Sequence, residues 1–232
     1  MGLVDGPGVR AVVFLQGCPL RCLYCHNPDT QTFSGGQETT PEALVKRLLR
    51  FRPYFESSGG GVTFSGGEPL GQSDFLLACL KLLKAEGVHT CIDTSGVGQG
   101  DYEDILKHTD LVLYDVKHHQ RDGYRKITGR ELDPTLAFVE AVRKANVPMW
   151  VRHVVVPGLT DSREHLTSLG KYIATLPRVE KVELLPYHTL GVHKYQTLGI
   201  PYPLEGVPPM DKTVLEPWNR QLNEACCRNT DN

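Results

Sequence analysis

The stretch GCPLRCLYCHNPDT (17–30) places Cys18, Cys22 and Cys25 with three and then two residues between them. Thiolates at such short spacing suit an iron–sulfur cluster. Three of them would hold three irons of a [4Fe–4S] cubane and leave the fourth open to a small-molecule chelate. The rival is structural zinc on Cys18, Cys22, Cys25 and His26, because such sites take four protein ligands in a tetrahedron. Adjacent Cys25 and His26 would both have to turn toward one ion, which is strained, and no second Cys-x2-Cys supplies a ligand. Cys79 lies in a helical pattern and Cys91 in a strand pattern, so both read as core residues. Cys226 and Cys227 read as bystanders near the C-terminus.

Other groups fit for chemistry recur down the chain: SGGEP (65–69), DTSG (93–96), DVK (115–117), RHVVVPG (152–158) and PYH (186–188). Gly66 and Gly67 let a backbone approach a ligand closely and expose its N–H and C=O groups; the plainer reading is a tight strand-to-helix turn. GGEP is no phosphate loop, since no Gly-Lys-Ser/Thr follows, and GVGQG (96–100) lacks the spacing of a dinucleotide fingerprint. Asp115 and Lys117 share a face by the two-residue strand period. Arg152 lies among β-branched residues, where an inward guanidinium needs a carboxylate or peptide carbonyls. Asp5 precedes Gly-Pro-Gly, which alone is a turn signal.

Strands alternating with helices must carry these groups. Strand patterns cover RAVVFLQG (10–17), GGVTFSGG (60–67), VHTCIDTSG (88–96), DLVLYDVK (110–117), PMWVRHVVVPG (148–158) and VEKVELLPYH (179–188). Helix patterns follow: TTPEALVKRLLRFRPYF with Thr40 as cap and Pro41 at the first position, SDFLLACLKLLKAEG with Ser73 as cap and Gly87 as stop, and YEDILKHT. A polar loop (118–132) precedes DPTLAFVEAVRKAN, capped by Asp133; DSREHLTSLGKYIATLP and a last helix over about 211–226 complete the set. Six β-then-α units imply crossovers and parallel pairing. They would close only part of a (β/α)8 barrel, giving an α/β fold, a partial (β/α)6 TIM-like barrel, in one domain over 1–232 with its core at about 10–190. Every strand ends in one of the signatures above, and parallel barrels gather their sites at the C-terminal strand ends.

The 232 residues are 40% hydrophobic and 22% charged, with net charge −2 and pI near 6.5. No basic field points to nucleic acid, no apolar run is long enough for a membrane span, and MGLVDGPGVR is no secretory signal. Seven cysteines in such a chain fit metal or catalytic thiols in a reducing cytosol better than disulfides. The expected compartment is cytoplasmic.

The Cys-x3-Cys-x2-Cys loop after the first strand, with Tyr24 before the third cysteine and SGGEP ending the second strand, resembles the radical S-adenosylmethionine (SAM) enzymes. VDGPGVR (4–10), QGCPLRCLYCHNPDT (16–30), GGGVTFSGGEPL (59–70), GVHTCIDTSG (87–96), DLVLYDVK (110–117), VRHVVVPG (151–158) and VEKVELLPYHTLGVHKY (179–195) extend the resemblance, in order, to activases of glycyl radical enzymes. It is weakest over 118–135 and after about residue 200. No cysteine lies between Cys25 and Ser65, where other activases often carry an inserted cluster domain, so the pyruvate formate-lyase type is favoured. Relatives commonly have a leading segment, a strand included, before Val4-Asp5-Gly6-Pro7-Gly8.

The resemblance implies that SAM chelates the fourth iron through its amino and carboxylate groups. One electron then splits it into methionine and a 5′-deoxyadenosyl radical, which removes a glycine Cα hydrogen from pyruvate formate-lyase under anaerobic conditions. It implies that Gly66, Gly67 and Glu68 hold the methionine amino group and that Lys117 meets the carboxylate. Asp93, Thr94 and Asp115 would contribute to a monovalent-cation site, His188 would contact adenine, and Tyr24 and His26 would pack on the adenosyl part. Asp5 and Arg152 would bind the partner's glycyl loop. Electrons would come from a flavodoxin or ferredoxin, and the expected state is a monomer. Three other readings stay open: an activase of another glycyl radical enzyme, a radical SAM enzyme acting on a small molecule, such as a deazapurine carboxylic-acid synthase, and a non-catalytic iron–sulfur or zinc protein.

Overall fold

The computed structural model describes residues 2–227. Six strands, β1 (Arg10–Leu15), β2 (Gly61–Gly66), β3 (His89–Thr94), β4 (Leu111–Asp115), β5 (Met149–Val155) and β6 (Val179–Pro186), form one sheet in chain order, each parallel to the next. Among the described residues β6 does not pair back to β1, so the barrel is open. The expected partial (β/α)6 barrel is what the chain forms.

Alternation along each strand divides the side chains between two environments. Leu15, Val62, Phe64, Ile92, Val112, Tyr114, Val151 and Val182 join the main core under the helices. Cys91, Leu111 and Leu113 pack with Trp150 on the concave face. Arg10, fully buried, closes the lower end of that face: Nε donates to Thr63 Oγ1 at 2.6 Å and Nη2 to Val62 O at 2.6 Å. Cys79 and Cys91 are fully buried, as a core role requires.

The helices depart from expectation where local chemistry overrides the apolar period. The segment after Thr40 splits into α1 (Pro41–Leu48) and α2 (Arg52–Ser58), with a 3-10 turn at Leu49–Phe51. Pro53, in the first turn of α2, cannot donate to the carbonyl four residues back. In α3 (Ser73–Ala85) Gln72, not Ser73, holds the N-cap position, while Gly87 follows the C-terminus at φ +70°. The next helix is α4 (Tyr102–Lys107), capped by Asp101. The polar stretch after β4 contains α5 (Arg121–Thr128) rather than a loop: Tyr124, Ile127 and Thr128 are its buried face and the rest, Gly123 apart, is charged. In α6 (Asp133–Ala145) Leu132 takes the N-cap position, and Asp133, one residue inside, pairs with Arg121.

Ser162 caps α7 (Arg163–Ile173). A short helix that the apolar pattern does not announce, α8 (Val192–Leu198), follows β6. Last comes α9 (Lys212–Cys227), which seals the free edge of β6. Asn223 accepts from Val182 N and donates to Val182 O; Asn219 accepts from Leu184 N. Four helix residues rise about 6 Å and two strand residues about 6.6 Å, so amides one turn apart match alternate strand residues.

Candidate active site at the strand C-termini

The cysteine loop leaves β1 and is tied down from three directions. Gly17 N donates to Thr30 O and Cys18 N to Gln31 O, folding the loop on itself. Arg21 N and Leu23 N donate to Thr128 O and Ile127 O at the end of α5. From α8, Tyr195 Oη donates to Cys25 O at 3.0 Å and Lys194 Nζ to Asn27 Oδ1 at 2.8 Å. Cys18, Cys22 and Cys25 are all free thiols and partly exposed.

The SGGEP segment packs backbone to backbone against this loop. Gly66 has φ +110°, a conformation that favours glycine. A Cβ on Gly67 would lie 2.3 Å from Gly17 O. Gly67 N donates to Leu15 O and Glu68 N to Gly17 O, both at 2.8 Å, so these N–H groups serve the fold. The buried Glu68 carboxylate is equally committed. Oε1 accepts from Thr94 Oγ1 and Leu70 N, and Oε2 from Ser95 N and Ser95 Oγ at 2.9 and 2.6 Å. It bolts the end of β2 to the end of β3. Burial pushes its carboxyl up, and those donors oppose the shift.

Asp5, Asp93, Asp115 and Lys117, all half-buried, form one charge network around the buried Arg152. Arg152 Nη2 donates to Asp93 Oδ1, its Nε lies 3.4 Å from Asp115 Oδ1, and its Nη1 lies 3.8 Å from Asp5. Lys117 Nζ holds Asp115 Oδ2 at 2.8 Å, and Ser65 Oγ donates to Asp93 Oδ2 at 2.6 Å. Burial pushes the Asp115 carboxyl up, but Lys117 and Arg152 outweigh it and hold the group below the usual carboxylate range. At Asp93 burial wins over Arg152, helped by repulsion from Asp115. The register of β4 on β5 places Asp115 beside Arg152, so the network is a direct product of strand pairing.

The His26 and His188 rings pack against each other at a tilt of 37°, with centroids 3.9 Å apart, and His26 Nε2 donates to His188 O at 3.0 Å. That bond places the proton on Nε2 and leaves Nδ1 bare. Among the described residues no three His, Cys, Asp or Glu side chains gather around one metal ion. What favours a cluster on Cys18, Cys22 and Cys25 is the chemistry of the donors, three thiols on one short loop, since thiolates are the ligands of iron–sulfur clusters. Burial pushes the Cys18 thiol up to about 11 and Cys22 up to about 12, so cluster uptake must release protons. The phenol oxygens of Tyr24 and Tyr124 are buried without a partner, and both rings feel the charge of Lys117 and Cys22. Buried polar atoms are normally bonded; this site is short of a polar occupant.

The structure thus gathers the residues given a site role in the sequence around the cysteine loop and the strand ends, while Cys79 and Cys91 stay in the core. Tyr24 sits deeper than an exposed packing face, at 4% exposure among Ile127, Val156, Tyr187 and Leu204. Sequence reasoning missed Ser65, Ser95, Lys194 and Tyr195. The LGVHKY stretch carrying the last two was the available signal for α8.

The model of the Radical SAM superfamily matches residues 12–169. The pyruvate formate-lyase-activating enzyme of Clostridium pasteurianum is 57% identical over 97% of this chain and 94% of its own length. That of Staphylococcus epidermidis is 50% identical over 96% and 92%. Among solved structures, a domain of pyruvate-formate lyase-activating enzyme from Bacteroides vulgatus superimposes with a TM-score of 0.57 at 24% identity, covering 72% of this chain and 95% of that one. Streptococcus suis SuiB bound to a precursor peptide gives 0.70 at 13% identity over 97% of this chain and 47% of that one, a likeness of fold. The chain belongs to the radical SAM superfamily and, within it, to the pyruvate formate-lyase-activating enzymes.

Proposed function

We propose that this protein is a one-domain activase that installs the glycyl radical in pyruvate formate-lyase. The observation that carries the reading is the trio of free thiols on one short loop, with Cys18 and Cys22 within electrostatic reach of Lys117. Cys18, Cys22 and Cys25 would hold a [4Fe–4S] cluster. Bound there, the cluster and SAM would supply the one-electron chemistry that removes a hydrogen atom from the substrate glycine.

This chain's own residues orient and shield. Lys117 meets the SAM carboxylate, a charge-assisted contact strengthened by a water-poor setting. The carbonyls at Gly66 and Gly67 receive its amino group, since their neighbouring N–H groups are taken. Glu68 and Thr94 act by locking the two strand ends that present those carbonyls. His188, packed at a tilt against His26, offers its ring to adenine. Asp5 and Arg152 bind the peptide groups of the partner's glycyl loop, which enters through the open side. A monovalent cation at Asp93, Thr94 and Asp115 would first have to displace the Arg152 guanidinium. A flavodoxin or ferredoxin supplies the electron, and the enzyme works as a cytoplasmic monomer. No helix among the described residues is long and apolar enough to cross a membrane.

Anaerobic reconstitution, then dithionite and SAM, tests the reading. The expected result is 5′-deoxyadenosine in every reaction and a glycyl signal by electron paramagnetic resonance only when pyruvate formate-lyase is present. SAM cleavage with no glycyl signal on that partner would overturn it.

A further inference from the structure

Behind the Asp115–Lys117 segment, on the face of β5 opposite Arg152, four imidazoles gather. His118 and His119 follow Lys117, His153 lies next to Arg152, and His165 lies in the first turn of α7. Ring centroids are 4.8 Å apart for His118–His165, and 5.1 Å for His118–His119, His119–His165 and His153–His165. The charge network at the rim does not use them.

Their hydrogen bonds define one protonation pattern. His153 Nδ1 lies 2.6 Å from Val116 O, and a carbonyl only accepts, so the proton is on Nδ1. The neutral ring then has a bare Nε2, which receives His165 Nε2–H at 3.1 Å. His118 Nδ1 accepts from Gln120 N, and His119 Nε2 meets Ser168 Oγ at 2.8 Å. The titratable groups facing His153 are Lys117, His118, His119 and His165, none of which favours its cation. Burial holds His153 down to about 4 and His165 to about 3, so both stay neutral at working pH.

Val116 is clasped twice by β5: its N–H donates to Arg152 O at 2.9 Å, and its C=O accepts from the His153 ring. It is also the residue between Asp115 and Lys117. The geometry points to His153 as a positioning residue for the Asp115–Lys117 segment, kept in its working tautomer by His165, so that the imidazole cluster sets how firmly Lys117 grips a ligand carboxylate. This rests on the proposed placing of the SAM carboxylate at Lys117.

The test uses wild-type protein, His153→Phe and His153→Asn, reconstituted anaerobically to equal iron content. Phenylalanine keeps the ring volume and removes the donor; asparagine restores an N–H near the Nδ1 position and does not titrate near neutrality. The Kd and KM for SAM should rise about tenfold in His153→Phe, the size of one lost hydrogen bond, with kcat for SAM cleavage within about twofold. His153→Asn should recover most of the affinity. In the cluster-free protein, nitrogen-15 resonances should show His153 protonated on Nδ1 and bare on Nε2. Wild-type affinity in His153→Phe, no recovery in His153→Asn, or an Nε2–H tautomer would each overturn the inference. Should His153→Phe not fold, the asparagine variant and the tautomer decide. A wild-type holoenzyme that binds no SAM would refute the proposed function instead, while leaving the tautomer result standing.

Discussion

Replacing Gly67 by alanine isolates what the SGGEP segment does before any ligand arrives. Gly67 lies outside the left-handed region, so alanine adds a Cβ and no backbone strain. That Cβ would lie 2.3 Å from Gly17 O and 2.7 Å from Thr30 O, where ordinary contact begins at 3.4 Å. The end of β2 and the cysteine loop must part by about 1 Å, since both obstacles are backbone and no rotamer change relieves them. The 2.8 Å bonds from Gly67 N and Glu68 N would then stretch toward the limit of hydrogen bonding. Overpacking of about 1–3 kcal/mol and one net hydrogen bond of about 1 kcal/mol give roughly 2–4 kcal/mol. At about 2–4 °C per kcal/mol for a chain of this size, the melting temperature falls by roughly 4–16 °C. Gly17 precedes Cys18, so the displacement also lands on the first thiol and iron uptake drops. Gly71→Ala is the control: its Cβ would meet only the Phe33 ring edge at 3.3 Å, on an exposed side chain that can swing away. Calorimetry of cluster-free protein, with iron per chain after reconstitution, reads both. If Gly67→Ala melts within about 2 °C of wild type and takes up full iron, the close-approach argument is wrong.

Other consequences follow from the same contacts. Tyr195→Phe removes the donor to Cys25 O, a loss of about 1 kcal/mol, and should speed iron loss to a chelator while leaving the far-ultraviolet spectrum unchanged. Asn223→Ala strips both backbone partners from Val182; with Asn219→Ala added, the bared edge of β6 should self-associate, seen as scattering near the melting temperature. The buried His153, held near 4 against 6.5 when unfolded, lets the unfolded chain bind a proton that the folded one refuses. Stability is therefore lost as pH falls below about 6.5, by about 2 kcal/mol at pH 5 from this residue alone. The stability difference between wild type and His153→Phe should shift by that amount between pH 7 and pH 5 in denaturant titrations.

The barrel and its rim were legible because two periodicities carry them. β-branched runs ending in glycine or polar signatures gave all six strands, and the strand ends necessarily share one side of a parallel sheet. Elements set by other forces were not legible. α5 has three buried residues in eight, too few for an apolar period, and is held by its contacts with the cysteine loop. α8 is short and owes its place to Lys194 and Tyr195 reaching Asn27 and Cys25, partners some 170 residues away. Glu68 read as a ligand contact because its motif sits beside the cysteines. Only the fold reveals that four donors from Leu70, Thr94 and Ser95 already occupy it.

The charge count at the rim bears on how a ligand could bind there. Asp5, Asp93 and Asp115 face two cations, Arg152 and Lys117, so the network carries one excess negative charge if all are ionised. An incoming carboxylate at Lys117 must compete with Asp115, and displacing Asp115 outright would leave a half-buried anion short of its closest cation. Arg152 offers the way round, because its Nε is buried 3.4 Å from Asp115 Oδ1 without a made hydrogen bond. A small rotation of the guanidinium would complete that bond as Lys117 turns to the ligand. The ligand's own cationic groups would offset the added charge. A zwitterion bearing a further positive centre is thus a better occupant than a simple carboxylate. Acetate should bind far more weakly than a cationic amino acid derivative, and equal affinities by calorimetry would refute this account of the network.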